Sequence, residues 1–194
     1  MLLVGLVVVW PCRLFGQISL SGIVGARYTS TLVRDSVVTS FDVRPAIGPS
    51  IALAMSEQSR TGWTPGAALD ISWAALQRHD SAGATKINSL TTIAFTVGLQ
   101  RTLSRQLAAR VGVGALKYLP GERAGLFRSG SGIAALGMAG LDWTPAVTAA
   151  RGIGLSLRYD AHRFTTAALR SEGFTAPRLV HRIAIGVRAR IAGS

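Results

Sequence analysis

The sequence predicts an all-β chain folded as an eight-stranded antiparallel up-and-down barrel. Three observations carry the prediction: apolar residues recur at every second position, eight segments show this alternation, and the connections between them alternate short and long. Successive side chains of a strand point to opposite faces, so period two marks a strand lying between two environments.

The segments span residues 17–28, 42–56, 63–77, 88–101, 105–118, 131–144, 150–163 and 178–192. The first, QISLSGIVGARY, is rich in small residues between aliphatics. The second contains Pro45 and Pro49, which cannot donate to a ladder, so it is expected to bulge or to begin late. In the third, Leu69, Ile71 and Trp73 oppose Asp70, Ser72 and Ala74; in the fourth, Ile93, Phe95, Val97 and Leu99 oppose Thr92, Ala94, Thr96, Gly98 and Gln100. The fifth sets Leu107, Val111 and Val113 against Arg110, Gly112 and Gly114. The sixth breaks the rule, with Leu136 and Met138 on its otherwise polar face. The seventh sets Ile153, Leu155, Leu157 and Tyr159 against Gly154, Ser156, Arg158 and Asp160. The eighth sets Ile183, Ile185, Val187, Ala189 and Ile191 against Arg182, Ala184, Gly186, Arg188 and Arg190.

Short connections (EQSRTG, TLS, PAVTA) alternate with longer ones (TSTLVRDSVVTSF, RHDSAGATKI, LPGERAGLFRSG, FTTAALRSEGFTAP). Such a meander has its two ends in different surroundings, as membrane barrels do.

The faces leave two geometries. A soluble barrel or sandwich would point its aliphatic faces inward. Its outer face would then be rich in Lys, Glu, Asp and Asn. Here that face is Gly, Ala, Ser and Thr with isolated Arg and Asp, residues that suit a narrow interior. The aliphatic face then meets lipid, and a closed barrel leaves no backbone group unpaired there. Composition agrees: 48% of the 194 residues are hydrophobic and 15% charged, yet the net charge is +12. Nineteen of the 21 basic residues are Arg, spread along the chain and not gathered in a basic tract. That spread argues against nucleic-acid binding. Trp63 and Trp143 near the short turns, and Tyr28, Tyr118 and Phe164 near the loop ends, are placed for the membrane interfaces, with Trp73 at the outer one.

The N-terminal MLLVGLVVVWPCRLFGQ carries an apolar run of signal-peptide length, too short for a membrane helix. With cleavage near Gly16, residues 1–16 are an export signal and 17–194 the barrel. The alternative is a buried first strand or helix of a cytosolic protein. Trp10 and Pro11 stand before Cys12, where a lipoprotein signal wants small residues.

With these patterns the chain resembles the small eight-stranded outer-membrane β-barrel proteins of the OmpA, OmpX and OmpW kind, over residues 17–194. The most specific part is the end: AIGVRARI places Gly186, Ala189 and Ile191 at the offsets of the final-strand signal, departing at Ala184. The resemblance implies a transmembrane β-barrel in a bacterial outer membrane, delivered by the barrel-assembly machinery.

Inward arginines need partners, because unpaired charge in a narrow interior is costly. Level-matching across neighbouring strands pairs Arg110 with Asp142 and Asp160 with Arg182. Arg27, Arg158, Arg188 and Arg190 complete an inward set in excess over the carboxylates, so the interior is expected to be net positive. An eight-stranded barrel is only just wide enough for its own side chains. An ion-paired plug is therefore favoured over a narrow anion-preferring pore. The expected interior polar network is Arg110, Asp142, Arg158, Asp160, Arg182 and Arg188.

Catalysis by a lipid-modifying barrel enzyme is the rival class. His79-Asp80-Ser81 echoes the His-any-Ser pair of lipid A 3-O-deacylases but lies in a polar loop, with Glu122 the next glutamate. His162 and Asp160 share a strand face; a polar residue at the rim is the plainer reading. His181 falls on the aliphatic face near a rim. Nothing in the sequence calls for a metal or cofactor. Arg34, Arg78, Lys86, Arg123, Arg128, Arg163, Arg170 and Arg178 in the long loops suit lipopolysaccharide phosphates. The chain is thus expected to be a monomeric, non-enzymatic membrane barrel with a structural or surface-interaction role, in contact with outer-membrane lipid; a narrow passive channel for small or hydrophobic solutes is the alternative, and a lipid-modifying enzyme comes third.

Overall fold

Ten strands appear in the computed structural model, which describes residues 18–35, 40–57, 62–123, 127–128, 131–173 and 176–192. The expected export segment, with Cys12, lies outside the described residues. Eight strands close a ring in the order β1 (Ile18–Thr29), β10 (Arg178–Ala192), β9 (Ile153–Phe164), β8 (Ile133–Trp143), β7 (Leu107–Pro120), β6 (Gly83–Thr102), β5 (Trp63–Asp80) and β4 (Gly48–Glu57), which pairs with β1 again. All eight pairings are antiparallel. The first and last ring strands form the seam, with Gly25 opposite Gly186 and Ile23 opposite Arg188. A Cβ on Gly25 would lie 2.0 Å from the Ile185 carbonyl oxygen, so only glycine allows the two strands this approach.

The expected second segment is split. β3 (Phe41–Pro45) and β4 both pair with β5, and Pro45 faces Leu76 while Ser50 faces Ser72, a slip of one residue. The break falls at Ala46 and Ile47, where the Ala46 N–H donates to the Ala75 carbonyl at 2.8 Å. This is the bulge that the prolines foretell. β2 (Val33–Asp35) folds back on β3 as a small hairpin inside the first long connection.

Three connections differ from their expected form. The stretch 78–87 is not an open loop, because β5 and β6 run on past the barrel and leave only Ser81 and Ala82 to turn. Its polarity signals water on both faces, which a hairpin tolerates. Residues 164–177 contain a one-turn helix α1 (Ala167–Ser171), whose first turn is capped by Thr166 Oγ1 accepting from the Leu169 N–H at 3.2 Å. The turn after β8 is a 3-10 helix (Ala146–Arg151) ending at Gly152 with φ 65°, so β9 begins at Ile153 and not at 150.

The aliphatic faces point outward. Val24 is 63% exposed, Val113 64% and Ile185 59%, and Leu53, Leu69, Phe95, Val97, Leu141, Leu155 and Val187 are exposed on the same surface. Burying one such side chain is worth about 1.5–3 kcal/mol. A fold surrounded by water would not leave a continuous girdle of them outside. The girdle has measurable height on β5, where exposed Trp63 and Trp73 stand at its two edges. At about 3.4 Å per residue and a tilt of about 45°, that span rises about 24 Å, the height of the apolar band of such barrels.

Tyr118 and Phe164 are not interface residues, contrary to the sequence reading. Both point into the barrel and are buried, whereas Tyr28, Trp143 and Tyr159 face outward. They belong to the protein's hydrophobic core, which occupies the loop end of the interior. Leu76, Leu90, Leu116, Tyr118, Leu136, Phe164 and Val180 come from the strands, and Leu32, Phe127 and Leu169 from the connections.

Candidate functional site

The interior is layered. At the loop end the apolar core seals the barrel. Phe127 is 0% exposed, 5.9 Å from Phe164, whose ring lies edge-on to Tyr118 at 5.4 Å. Leu136 is buried in this core and Met138 packs against it, which accounts for the apolar pair on the polar face of β8. On the underside of the core the Tyr118 hydroxyl and His162 Nε2 hydrogen-bond at 2.9 Å. His162 is therefore a buried residue and not a rim residue as expected, and its partner is Tyr118.

Below lies a first charged cluster of three arginines and two aspartates. Arg182 stands directly opposite Asp160 in the β9–β10 ladder, with Nε 3.1 Å from Oδ1, and both side chains are 1% exposed. Arg27 donates from NH2 to Asp70 Oδ2 at 2.5 Å; these side chains are 1% and 3% exposed. The contact crosses β4, whose inward Ser50 and Ala52 are small enough to let the Arg27 side chain pass. Arg158 joins the pairs, with Nε 3.6 Å from Asp160 Oδ2 and NH1 3.9 Å from Asp70 Oδ2. Arg182 NH2 is 3.7 Å from Asp70 Oδ1, so three guanidinium groups converge on Asp70.

A second cluster lies toward the turns. Arg110 donates to Asp142 on the adjacent strand. Arg188 approaches the same carboxylate at 3.9 Å and donates to Thr144 Oγ1 at 3.4 Å. Arg190 continues the inward set but is exposed at the lower mouth. All six residues expected in the interior network thus face the interior, in two groups: Arg158, Asp160 and Arg182 above, Arg110, Asp142 and Arg188 below. Sequence reasoning gave no partner to Arg27 and overlooked Asp70 as a hub, although its place on the polar face of β5 was visible. It also missed the apolar core, whose signal is the polar phase of β5 to β10 turning to Leu, Tyr, Phe and Val at the loop ends.

The remaining candidates are spread over the surface. His181 stacks on Tyr159 on the outer wall, its Nδ1 2.6 Å from the tyrosine hydroxyl. His79, Asp80 and Ser81 sit at the tip of the β5–β6 hairpin, where Asp80 Oδ1 accepts the Ala82 N–H at 3.0 Å. Among the described residues no group of three His, Cys, Asp or Glu could hold a metal ion.

The loop end is basic. Arg34, Arg78 and Arg128 reach Asp42, Asp80 and Glu172 at 3.9, 3.4 and 3.6 Å. Lys86, Arg123, Arg163 and Arg170 are exposed, Arg178 is half-buried, and none of the five has a carboxylate partner among the described residues.

Outward girdle, closed ring and charged interior together define a transmembrane β-barrel. No family model matches the chain, and no curated protein matches it. Among solved structures it is similar to Ail of Yersinia pestis. The crystal structure of Ail, the attachment invasion locus protein, in complex with the heparin analogue sucrose octasulfate gives a TM-score of 0.53 at 10% identity, covering 92% of this chain and all of that one. Ail in a phospholipid bilayer nanodisc gives 0.51 at 13%, covering 91% and 99%. The likeness is one of fold: the chain has the fold of the small outer-membrane β-barrels.

Proposed function

We propose that the chain is an integral protein of a bacterial outer membrane, a non-conducting barrel that works at its loop end by binding phosphate- or sulfate-bearing surface glycans. One observation carries the reading: the interior is closed by an apolar core above ion-paired arginines, while five basic side chains at the loop end have no carboxylate partner among the described residues. A closed interior offers no path for solutes, so interaction falls to the loops. Guanidinium groups bind phosphate and sulfate oxygens through paired N–H donors. The complex of Ail with sucrose octasulfate supports this chemistry for a barrel of the same fold. Lipopolysaccharide is the nearest such partner in that membrane, outer-membrane lipid covers the girdle, and the barrel-assembly machinery inserts a single copy.

The test is binding of sucrose octasulfate and of lipopolysaccharide to the barrel in neutral nanodiscs, with conductance measured in planar bilayers. The expected result is binding that weakens steeply with salt, falls at least tenfold in the triple variant Lys86→Gln/Arg123→Gln/Arg170→Gln, and comes without discrete ion currents. Salt-independent binding, or binding unchanged in the variant, overturns the loop-end role. Regular single-channel currents would put the narrow channel in its place.

A further inference from the structure

We propose that the barrel interior holds a small monovalent inorganic anion, chloride, in the cavity between its two arginine clusters. The charge balance is the first observation. The upper cluster sets Arg27, Arg158 and Arg182 against Asp70 and Asp160, and the lower sets Arg110 and Arg188 against Asp142. Each cluster therefore carries one guanidinium more than it has carboxylates. Uncompensated charge in a low-dielectric interior is costly, and arginine does not relieve it by losing a proton.

The second observation is the space. A cavity of about 40 Å³ lies between the clusters, lined by Arg27, Arg158 and Asp70 of the upper one and Arg110 of the lower one. The hydroxyl residues Ser50 and Ser156 also line it. A water needs about 10–15 Å³ by this measure, so the cavity takes a monatomic anion with a water and excludes larger organic acids.

The third observation is the donors. Arg27 is buried, and its Nε and NH1 have no hydrogen-bond partner among the described residues; the same holds for Nε and NH2 of Arg158. Both residues line the cavity, and its one carboxylate, Asp70, already accepts from Arg27 at 2.5 Å. An anion there would meet donors from both clusters and cancel a surplus charge. The turn end is the more open end of the interior. Arg110 and Arg188 are 17% and 16% exposed, whereas Phe127 and Val180 at the loop end are 0%.

Crystals of the refolded barrel grown in sodium bromide test the assignment directly. The expected result is an anomalous bromide peak in the cavity, within hydrogen-bond reach of Arg27 or Arg158. Bromide only at surface arginines, or ordered water alone in the cavity at saturating bromide, overturns it. In solution, the thermal unfolding midpoint in neutral detergent is expected to rise with the logarithm of chloride concentration, and not with gluconate at equal ionic strength. Arg158→Gln, which removes the upper surplus, should abolish that dependence, and Arg128→Gln in the loops should keep it. Equal midpoints in chloride and gluconate also overturn the proposal, and the bromide measurement needs no variant to fold. The inference rests on the closed-barrel reading, which the boiling-dependent shift of the same sample on SDS gels reports separately.

Discussion

Asp70→Asn lowers the stability of the folded barrel by about 3–5 kcal/mol, the cost of removing one partner from a buried ion pair. The substitution changes shape hardly at all. It leaves Arg27, whose NH2 lies 2.5 Å from the carboxylate, without a counter-charge, and takes from Arg158 and Arg182 a carboxylate within 4 Å. Urea unfolding in neutral micelles, followed by the gel shift between folded and boiled forms, measures the loss. Arg27→Gln added to Asp70→Asn is expected to recover part of it, because the orphaned charge goes too. A single variant within about 0.5 kcal/mol of the parent, the range of surface substitutions, would mean that interior water already solvates Arg27.

Val97→Arg tests the opposite wall. Val97 is exposed, pairs with Ala67, and stands about midway between the levels of Trp63 and Trp73. An arginine on the lipid face at the bilayer midplane costs about 2–4 kcal/mol. The expected result is a loss of that size in vesicles, with Val97→Leu near parental stability. If the girdle faced water, the arginine would be neutral or would improve solubility. Val97→Arg therefore separates a lipid-facing wall from a wetted one more sharply than circular dichroism, which reports strands in either case.

Most of the barrel was legible because period two is a local signal. The segment 178–192 coincides with β10, and 17–28 lies within one residue of β1. What composition hid was the behaviour of strands beyond the membrane: RHDSAGATKI reads as loop, since no apolar face marks it, but forms the continuation of a hairpin. In the interior, pairs on adjacent strands could be matched by height alone. Arg182 and Asp160 are directly opposite, and Arg110 and Asp142 are two rungs apart. Arg27 and Asp70 could not be matched this way, because their contact spans an intervening strand and depends on Ser50 and Ala52 leaving room. The core at the loop end escaped for a different reason. Its strand residues obey the alternation, and only comparison of the inward phase at one level around the ring brings Leu90, Leu116, Leu136 and Val180 together.

The seam between β1 and β10 has a kinetic consequence. The His181 N–H donates to Ser30 Oγ across 151 residues of chain, and the ladder continues from there to Leu20 opposite Ala192. Rungs this distant in sequence form late, since closing so long a loop is entropically unfavourable before any contact rewards it. Until the last strand docks, the chain presents two open edges and a wall of uncovered aliphatics. Folding is therefore a race between zipping that seam and self-association. Slow delivery of chain to lipid, at low local concentration, favours the barrel over the aggregate.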